Sequence, residues 1–324
     1  MNFPVVSVIM PVYNTDSFLY EAISSVLNQT FKDLEFIVVN DGSTDNSLGI
    51  IKEFEKSDSR VILVDQQNCG SSIARQRALE MAKGEYLYFM DSDDILESEA
   101  LEICYDRAEK DSLDMVFFDA ISFSDDPSLN AQDFHYNRKG VVGSEVFNGV
   151  VLMDFLLERD LFRVAPWMHF FRREIVVSNN IQFYPGIVHE DELFFSRIYF
   201  YASRVGYIPK DLFKRRLRAN STMTASFSLK RVNSYFTIVS EFEKAAKDSM
   251  LLRPVVRKLI SNILSGVAYQ AGTLKLKTRL YVLGYILRRG YLGIVKIKSI
   301  TVLLFPKIIW IKSKLKPVKK HFAD

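Results

Sequence analysis

The chain has 324 residues, an ordinary globular composition with 48% hydrophobic and 25% charged residues, and a net charge of +3, so it can form one large domain with a smaller appendage. Its two cysteines, Cys69 and Cys104, fit neither a zinc spacing nor a disulfide framework, which favours a reducing, cytosolic setting. The segment Met1-Asn2-Phe3-Pro4 runs into an apolar stretch without a basic region, and we therefore expect no signal peptide.

The first 120 residues alternate between compact β-branched runs, which predict strands, and segments with apolar residues four apart, which predict amphipathic helices. Phe18, Ala22 and Val26 form one such helical stripe. The alternation predicts an α/β fold with a mostly parallel sheet covered on both faces. The predicted elements in chain order are the strand Val5–Met10, the helix Asp16–Thr30, the strand Glu35–Asn40, the helix Ser43–Lys56, the strand Val61–Val64, the helix Ser71–Lys83, the strand Glu85–Met90, the helix Ser98–Lys110 and the strand Met115–Phe118.

Two local signals place helix ends: Ser43 or Thr44 can cap the second helix, and Gly84 can end the third. After about residue 120 the alternation weakens. Residues 122–139 are polar and predict a loop, and residues 231–272 predict helices. We therefore divide the chain into an α/β half at 1–120, a second half of the same domain at 121–230, and a C-terminal helical region with a basic tail at 231–324.

An acidic cluster, Asp91-Ser92-Asp93-Asp94, directly follows the predicted strand that ends at Met90. In open α/β sheets, ligands collect at the carboxyl ends of strands, and adjacent carboxylates repel one another unless a cation compensates. Hard divalent ions share such carboxylates with substrate phosphates. The cluster therefore predicts a metal–diphosphate site, and a solvated acidic loop that caps the next helix is the alternative.

Two further segments follow strands at the same predicted edge of the sheet. Pro11-Val12-Tyr13-Asn14 follows the first strand, and Asp41-Gly42-Ser43-Thr44-Asp45 follows the second. The chain lacks the glycine-rich phosphate cradles of P-loop kinases and nicotinamide dehydrogenases, which disfavours both classes. Asp41 can accept a hydrogen bond from a base N–H or a ribose hydroxyl, and a helix-capping turn is the alternative.

In order and spacing, these segments resemble family 2 glycosyltransferases over roughly residues 5–225. The resemblance implies the A-type glycosyltransferase fold and points most closely to bacterial enzymes that build surface polysaccharides. The motifs that carry it are Ser7-Val8-Ile9-Met10-Pro11-Val12-Tyr13-Asn14, Val38-Val39-Asn40-Asp41-Gly42-Ser43-Thr44-Asp45, the stretch from Gly70 through Ala74-Arg75, Gly84-Glu85-Tyr86 and Asp91-Ser92-Asp93-Asp94.

The resemblance implies a nucleoside diphosphate sugar donor, UDP-linked by preference, bound within residues 1–120. Asp93 would ligate Mn²⁺ or Mg²⁺, and Asp94 would brace its loop. Arg75 suits the diphosphate because of its guanidinium fork, with a helix-surface ion pair as the alternative. Gln76 stands where the family more often has Asn. The donor contacts that the resemblance implies are Pro11, Val12, Tyr13, Asn14, Asp41, Arg75, Asp91 and Ser92.

Inverting sugar transfer requires a carboxylate that removes the proton of the acceptor hydroxyl. In His189-Glu190-Asp191-Glu192 the resemblance assigns this base to Asp191, with Glu190 as an acceptor or supporting contact. An acidic first turn of a helix is the structural alternative, and it is compatible with catalysis. Trp167 is predicted to contact the acceptor by stacking on a sugar ring, and a buried tryptophan is the equal alternative.

His169 and His189 are near the predicted site in sequence, and a hydrogen-bonded structural role is favoured for each. The basic run that contains Arg215, Arg216 and Arg218 resembles a family segment near the donor phosphates, with a surface strand as the alternative. The run does not indicate which of these arginines faces the site.

The basic tail at 273–324 contains 13 Lys or Arg and a single acid, against 29 basic and 38 acidic residues before it. Its longest apolar stretches, Ile300–Pro306 and Ile308–Ile311, are shorter than the ~20 residues that a spanning helix needs. Together with aromatic residues such as Trp310, this pattern predicts a segment that lies on an anionic membrane surface. The apolar content disfavours nucleic-acid binding, and a dimerisation surface remains the alternative.

These features together predict an inverting, metal-dependent glycosyltransferase, cytoplasmic and peripheral on the inner face of the cell membrane. It would transfer a sugar to a hydroxyl of a glycan or lipid-linked glycan in surface polysaccharide biosynthesis. A sugar-1-phosphate nucleotidyltransferase is one alternative, although Pro11–Asn14 lacks the glycine-rich loop with Arg and Lys that such an enzyme would have. A non-catalytic, membrane-associated scaffold is the other, and the presence of Asp93 and Asp191 argues against it.

Overall fold

The structure of the chain, a computed structural model, describes residues 3–129, 136–218 and 226–306. The chain divides into two compact units. The first comprises residues 1–186 and 190–224, and the second comprises residues 187–189 and 225–324.

Strands of the first unit form one eight-stranded sheet in the described part of the chain. They are β1 (Val6–Val12), β2 (Leu34–Asp41), β3 (Val61–Gln66), β4 (Tyr86–Phe89), β5 (Ile95–Leu96), β6 (Met115–Phe123), β7 (His169–Arg172) and β8 (Val205–Arg216). Their spatial order is β3-β2-β1-β4-β7-β6-β8-β5. The four strands β3, β2, β1 and β4 are parallel, β6 is parallel to β8, and the other pairings are antiparallel.

Helices connect and cover these strands. They are α1 (Asp16–Leu27), α2 (Ser47–Ser57), α3 (Ser71–Met81), α4 (Ala100–Lys110), α5 (Gly149–Glu158), α6 (Arg173–Ser178) and α7 (Glu190–Tyr201), with a short 3₁₀ helix at Pro166–Met168. The predicted α/β fold is confirmed, and each of the nine elements predicted for the first 120 residues is present with ends shifted by a few residues.

The position of β1 between β2 and β4 creates the edge at which the site lies. Every residue of β2 and β4 is buried, as expected for parallel strands covered on both faces. Val12 at the end of β1 pairs with Asn40 of β2, and Ile9 pairs with Phe89 at the end of β4. Because the three strands are parallel, the segments that follow them leave the sheet at one edge.

The start of α2 differs from the prediction. The helix begins at Ser47 because Asp45, and neither Ser43 nor Thr44, satisfies its first backbone groups: Asp45 Oδ1 accepts a hydrogen bond from Ser47 N at 3.0 Å. Ser43 and Thr44 instead belong to a turn tied to Asn14. The backbone N of Asn14 donates to Ser43 Oγ at 3.1 Å, and Asn14 Oδ1 accepts from Thr44 N at 2.7 Å.

Gly84 does not end α3 as predicted, since the helix stops at Met81 with Ala82 as its cap. Gly84 packs against β1, where an added Cβ would lie 2.5 Å from Ser7 N, and its own N donates to Ser7 Oγ at 2.8 Å. Its missing side chain therefore permits close approach to a strand. The loop predicted at 122–139 starts later than expected, because β6 continues to Phe123; residues 130–135 lie outside the described residues.

The second unit is helical where it is described, which confirms the helices predicted for residues 231–272. Among the described residues, no helix has both the length and the apolar character that crossing a bilayer requires. The stretch Ile308–Ile311, with Trp310, falls outside the described residues. The helices are α8 (Leu229–Ala246), α9 (Leu252–Ala271), α10 (Leu276–Arg288) and α11 (Ile297–Leu304).

Candidate active site

The acidic loop after β4 is held from both sides by buried hydrogen bonds. Asp94 is buried, and its Oδ1 accepts from the backbone N of Arg216 at 2.6 Å. Burial, with the negative charges of Asp93 and Asp91, raises the pKa of Asp94 well above its ordinary value. Ser92 is also buried and accepts from Thr15 Oγ1 at 2.9 Å. Asp94 thus braces the loop, as predicted, while Asp91 and Asp93 are more accessible.

Arg75 connects this loop to the start of α7. Its Nη2 donates to Asp91 Oδ1 at 2.9 Å, and its Nη1 donates to Glu190 Oε1 at 3.0 Å and to Asp191 Oδ1 at 3.1 Å. Only 7% of the Arg75 side chain is exposed, so the alternative of a helix-surface ion pair is wrong. The sequence assigned Arg75 to the donor diphosphate and Asp191 to the acceptor, and in the structure the two side chains are in direct contact.

The two acidic residues at the start of α7 differ in accessibility. Glu190 has a side chain that is 7% exposed and also accepts a hydrogen bond from Ser71 Oγ at 2.5 Å. Asp191 retains 29% exposure, so it is the more accessible of the two carboxylates. The predicted division, with Asp191 as base and Glu190 in support, therefore stays a prediction that is compatible with the geometry.

The carboxyl group of Asp191 holds its proton unusually tightly. Burial raises its pKa to about 8; the Arg75 charge opposes this effect, and the charges of Glu190, Asp91 and Glu192 reinforce it. Burial likewise raises the pKa of Glu192 to about 7, against the opposing charge of Arg163. A carboxyl group with a strongly raised pKa beside a specific charged partner, as Asp191 beside Arg75, is typical of acid–base sites.

At the ends of β1 and β2, the predicted nucleotide contacts form a framework with one exposed ring. Tyr13 is 50% exposed, whereas Val12 is buried in the sheet. Asp41 is buried and organises the loop before α3: its Oδ1 accepts from Gln66 Nε2 at 2.7 Å and Cys69 N at 2.8 Å, and its Oδ2 accepts from Gly70 N at 2.8 Å. Gly70 has a positive φ of 87°, a backbone conformation that favours glycine.

Among the three arginines that the sequence left undecided, Arg218 contacts the predicted metal ligand. Its Nε donates to Asp93 Oδ2 at 2.5 Å. Arg216 is buried; its Nε donates to the backbone carbonyl of Asp93, and the guanidinium also pairs with Glu21 and Asp125. Arg215 donates from Nη1 to the hydroxyl of Tyr136 at 2.6 Å. The three arginines differ in sequence only by their positions at and just after the end of β8. Position alone does not determine which way each side chain points, so the sequence could not identify the one that contacts Asp93.

Trp167 is buried, which supports the alternative to a sugar-stacking platform. Its indole stacks on Phe213 with ring centroids 4.5 Å apart and meets the edge of Tyr136. Burial of the ring favours the alternative of a core tryptophan, and the contact of Trp167 with the acceptor stays a prediction. His169 has the predicted structural role: it is buried between Ala165 O and Tyr199 OH, and burial lowers its pKa to about 3.

The side chain of Gln76 binds the backbone of the segment that precedes α7. Its Oε1 accepts from Phe183 N at 3.0 Å, and its Nε2 donates to Glu80 at 2.9 Å. The side chain therefore positions the chain before α7. His189, which belongs to the second unit, has a positive φ of 68° and stacks on Tyr235 with ring centroids 4.7 Å apart.

The donor set at the end of β4 fits a divalent cation that is shared with a substrate. Within the described ranges, no three His, Cys, Asp or Glu side chains converge on a point that could hold a metal. Asp91 and Asp93 nevertheless offer hard carboxylate oxygens on one loop. Magnesium and manganese bind in this way, through one or two carboxylates, with diphosphate oxygens and water completing the coordination.

A mainly parallel sheet flanked by helices, with carboxylates after a central strand, is the architecture of A-type glycosyltransferases. The sequence profile of glycosyl transferase family 2 matches residues 7–177. The chain belongs to this family and is a glycosyltransferase.

Similar proteins include curated glycosyltransferases and solved structures. The chain is 30% identical over 252 residues to glycosyltransferase GlyG of Streptococcus pneumoniae, which covers 76% of this chain and 81% of that protein. The structure of S. aureus TarS 1–349 in complex with UDP-GlcNAc superposes with a TM-score of 0.64 at 20% identity, over 92% of this chain and 78% of that chain.

A further structural neighbour is the mannosyltransferase PcManGT from Pyrobaculum calidifontis, solved with GDP-Man and Mn²⁺. Its TM-score is 0.55 at 16% identity, over 96% of this chain and 89% of that chain. Some curated relatives are much longer, and the match spans 31% of the length of one and 16% of another. The solved structures confirm the fold.

Proposed function

We propose that the enzyme transfers a sugar from a nucleoside diphosphate, UDP by preference, to an acceptor hydroxyl with inversion at the anomeric carbon. The observation that carries this proposal is the Arg75 bridge, which joins Asp91 at the donor edge to Asp191 at the start of α7. In an inverting transfer, the leaving diphosphate and the catalytic base lie on opposite sides of the reacting carbon. The bridge holds Asp91, on the donor side, and Asp191, the proposed base, about one guanidinium. The complex of TarS with UDP-GlcNAc supports a UDP-sugar donor.

On the donor side, each predicted contact has a chemical role. The exposed ring of Tyr13 is available to stack on the base, beside Pro11 and Asn14. In the described structure, Asp41 Oδ2 accepts a hydrogen bond from Gly70 N, and a carboxylate oxygen has a second lone pair that can accept one N–H of the nucleobase. Asp91 is proposed to contact the ribose, while buried Ser92 contributes through its loop.

A divalent cation, Mn²⁺ or Mg²⁺, is proposed to bind through Asp93 with Asp91 beside it. When bound, such an ion neutralises the charge that develops on the leaving diphosphate. PcManGT, with its GDP-Man and Mn²⁺, is a neighbour that supports metal use. The side chains of this protein hold the loop in place: Asp94 anchors it to β8, and Arg218 lies against the carboxylate of Asp93.

Asp191 is proposed to remove the acceptor proton as the hydroxyl attacks. Its pKa of about 8 lets the carboxylate hold that proton at neutral pH. Glu190, fixed by Ser71 and Arg75, positions the start of α7 and can contact the acceptor. A single displacement on an α-linked donor would give a β-linkage.

The acceptor is proposed to be a glycan or lipid-linked glycan in surface polysaccharide biosynthesis. The enzyme is proposed to work in the cytoplasm, peripherally on the inner face of the membrane. The motivation is the basic, aromatic tail and the resemblance of the motifs to bacterial enzymes of this type.

The test is release of nucleoside diphosphate from a panel of UDP- and GDP-sugars, with Mn²⁺, with Mg²⁺ and with chelator. Asp93→Asn is compared with Asp106→Asn, a matched change at an exposed position of α4. We expect turnover with at least one UDP-sugar, its loss in chelator, and its loss in Asp93→Asn alone. Activity that survives chelation would remove the metal from the mechanism. Turnover confined to GDP-sugars would overturn the assignment of uracil as the nucleobase of the donor.

A further inference from the structure

Helix α10 exposes a leucine stripe along one face. Leu276, Leu280 and Leu287 are 60%, 56% and 51% exposed and stand four and seven positions apart, which places them on one side of a helix. Val282 and Ile286, on another face, are fully buried in the second unit. A helix that already buries one apolar face has therefore retained a second apolar face on its surface.

Helix α11 repeats this arrangement. Ile297 is 84% exposed and Leu304, two turns later, is 40% exposed, while Phe305 directly after the helix is 62% exposed. Val302 and Leu303 are buried. Arg279 of α10 ties the two helices together, because its guanidinium donates to the backbone carbonyls of Leu303, at 2.6 Å, and Leu304. We call the exposed apolar residues of α10, α11 and Phe305 the leucine face.

The charged residues of the segment that carries the leucine face have one sign. The sequence from 273 to 306 contains seven Lys or Arg and no acid. Lys277, Arg288 and Lys298 are exposed on the two helices that carry the face. Exposed leucines bordered by cations are the pattern of helices that lie in the headgroup region of an anionic bilayer.

We infer that the leucine face docks on an anionic lipid surface, with its leucines inserted among the acyl chains and its lysines and arginines against the headgroups. A second copy of the chain fits less well, because a twofold contact would oppose the same cations across the interface. This inference deepens the proposed peripheral location by naming the side chains that make the contact.

The test is sedimentation of the full-length protein with vesicles of phosphatidylcholine alone and with added phosphatidylglycerol. Leu276→Gln/Leu280→Gln should weaken binding to the anionic vesicles by about tenfold or more, because two inserted leucines are lost. Lys277→Gln/Arg288→Gln should weaken it by roughly tenfold, and the remaining binding should depend less on salt. Met250→Gln, at an exposed apolar position outside the leucine face, is the matched control and should bind like the wild type.

Three results would overturn the inference. Both double variants could bind like the wild type while the full-length variant Lys314→Gln/Lys316→Gln/Lys319→Gln/Lys320→Gln loses binding. Binding could also be equal for the two vesicle types. Light scattering could instead detect a dimer that the leucine variant abolishes, which would assign the face to a second copy. Circular dichroism and donor hydrolysis check that each variant is folded; hydrolysis needs no lipid, so the membrane inference and the proposed transfer fail independently.

Discussion

Arg218 Nε lies 2.5 Å from Asp93 Oδ2, so the carboxylate proposed to bind a metal already has a cationic partner in the protein. This contact balances part of the charge of an acidic loop in which burial, reinforced by the negative charge of Asp93, raises the pKa of Asp91 and of Asp94. A divalent ion that approaches Asp93 must compete with the guanidinium for the same oxygen. Arg218 would then be released toward the diphosphate.

Arg218→Gln should therefore bind Mn²⁺ more tightly when no donor is present. A partly exposed ion pair contributes up to about 1 kcal/mol, which corresponds to about a fivefold change in affinity. Free Mn²⁺ can be titrated by electron paramagnetic resonance. Arg215→Gln removes a charge nearby but leaves the Asp93 contact intact, so an equal gain in both variants would mean that the general field, and not this contact, sets the affinity.

Asp191→Asn should reduce transfer by about 10²–10⁴-fold, since the amide keeps the shape of the side chain but cannot accept the proton. Donor affinity should change little, because the base acts on the acceptor. Transfer can be followed with radiolabelled donor, and donor affinity by calorimetry. Glu192→Gln is the matched control on the next residue of α7 and should retain most activity at high pH. A wild-type rate in Asp191→Asn would reassign the base.

The pH dependence of the reaction should follow the raised pKa of Asp191. The base acts when ionised, so kcat/KM for the donor at low acceptor concentration should fall about tenfold per pH unit below about pH 8. The charge of Glu192 contributes to the raised pKa, so Glu192→Gln should move this limb to lower pH. Glu174→Gln, at an exposed position of α6, should leave it in place. A limb below about pH 5 in the wild type would contradict the assignment.

Trp167 should affect stability and leave acceptor recognition unchanged. Trp167→Ala removes a buried ring that stacks on Phe213, and such changes destabilise proteins by about 3–5 kcal/mol. Trp167→Phe keeps most of the packing and should lower the denaturant midpoint less. Urea unfolding measures both. In the folded Phe variant the KM for the acceptor should equal that of the wild type, and a raised KM would restore a binding role.

The central parallel strands β2 and β4 were predictable because they are buried on both faces and are therefore largely apolar runs in the sequence, as in Tyr86–Phe89. Strand β5, with two residues, carries no such pattern. Helix starts were displaced where a turn competes for the capping side chains, as at Ser43. At the start of α2, the sequence correctly predicted a helix, and a hydrogen bond from the backbone of Asn14 to Ser43 decided where the helix begins.

For the candidate site, the residue types and their common edge were predictable, but the partners were not. Arg75 was expected near the diphosphate, and its contact with Asp191 depends on how α7 packs, which motif spacing does not encode. Trp167 could be buried or exposed on the same sequence evidence. The choice among Arg215, Arg216 and Arg218 depends on side-chain direction at the end of β8, where a register shift in the β6–β8 pairing upsets simple alternation.

The Arg75 bridge also bears on how the protein folds. Its three partners lie 16, 115 and 116 residues away along the chain, so it joins one nearby segment and one very distant segment. Closing such long loops is slow, and contacts of this kind form late. Until α7 docks, Arg75 has Asp91 alone among these partners, and the proposed base has not reached the donor edge. Catalytic competence should therefore appear with the last stage of folding, so that partly folded chains do not consume the donor.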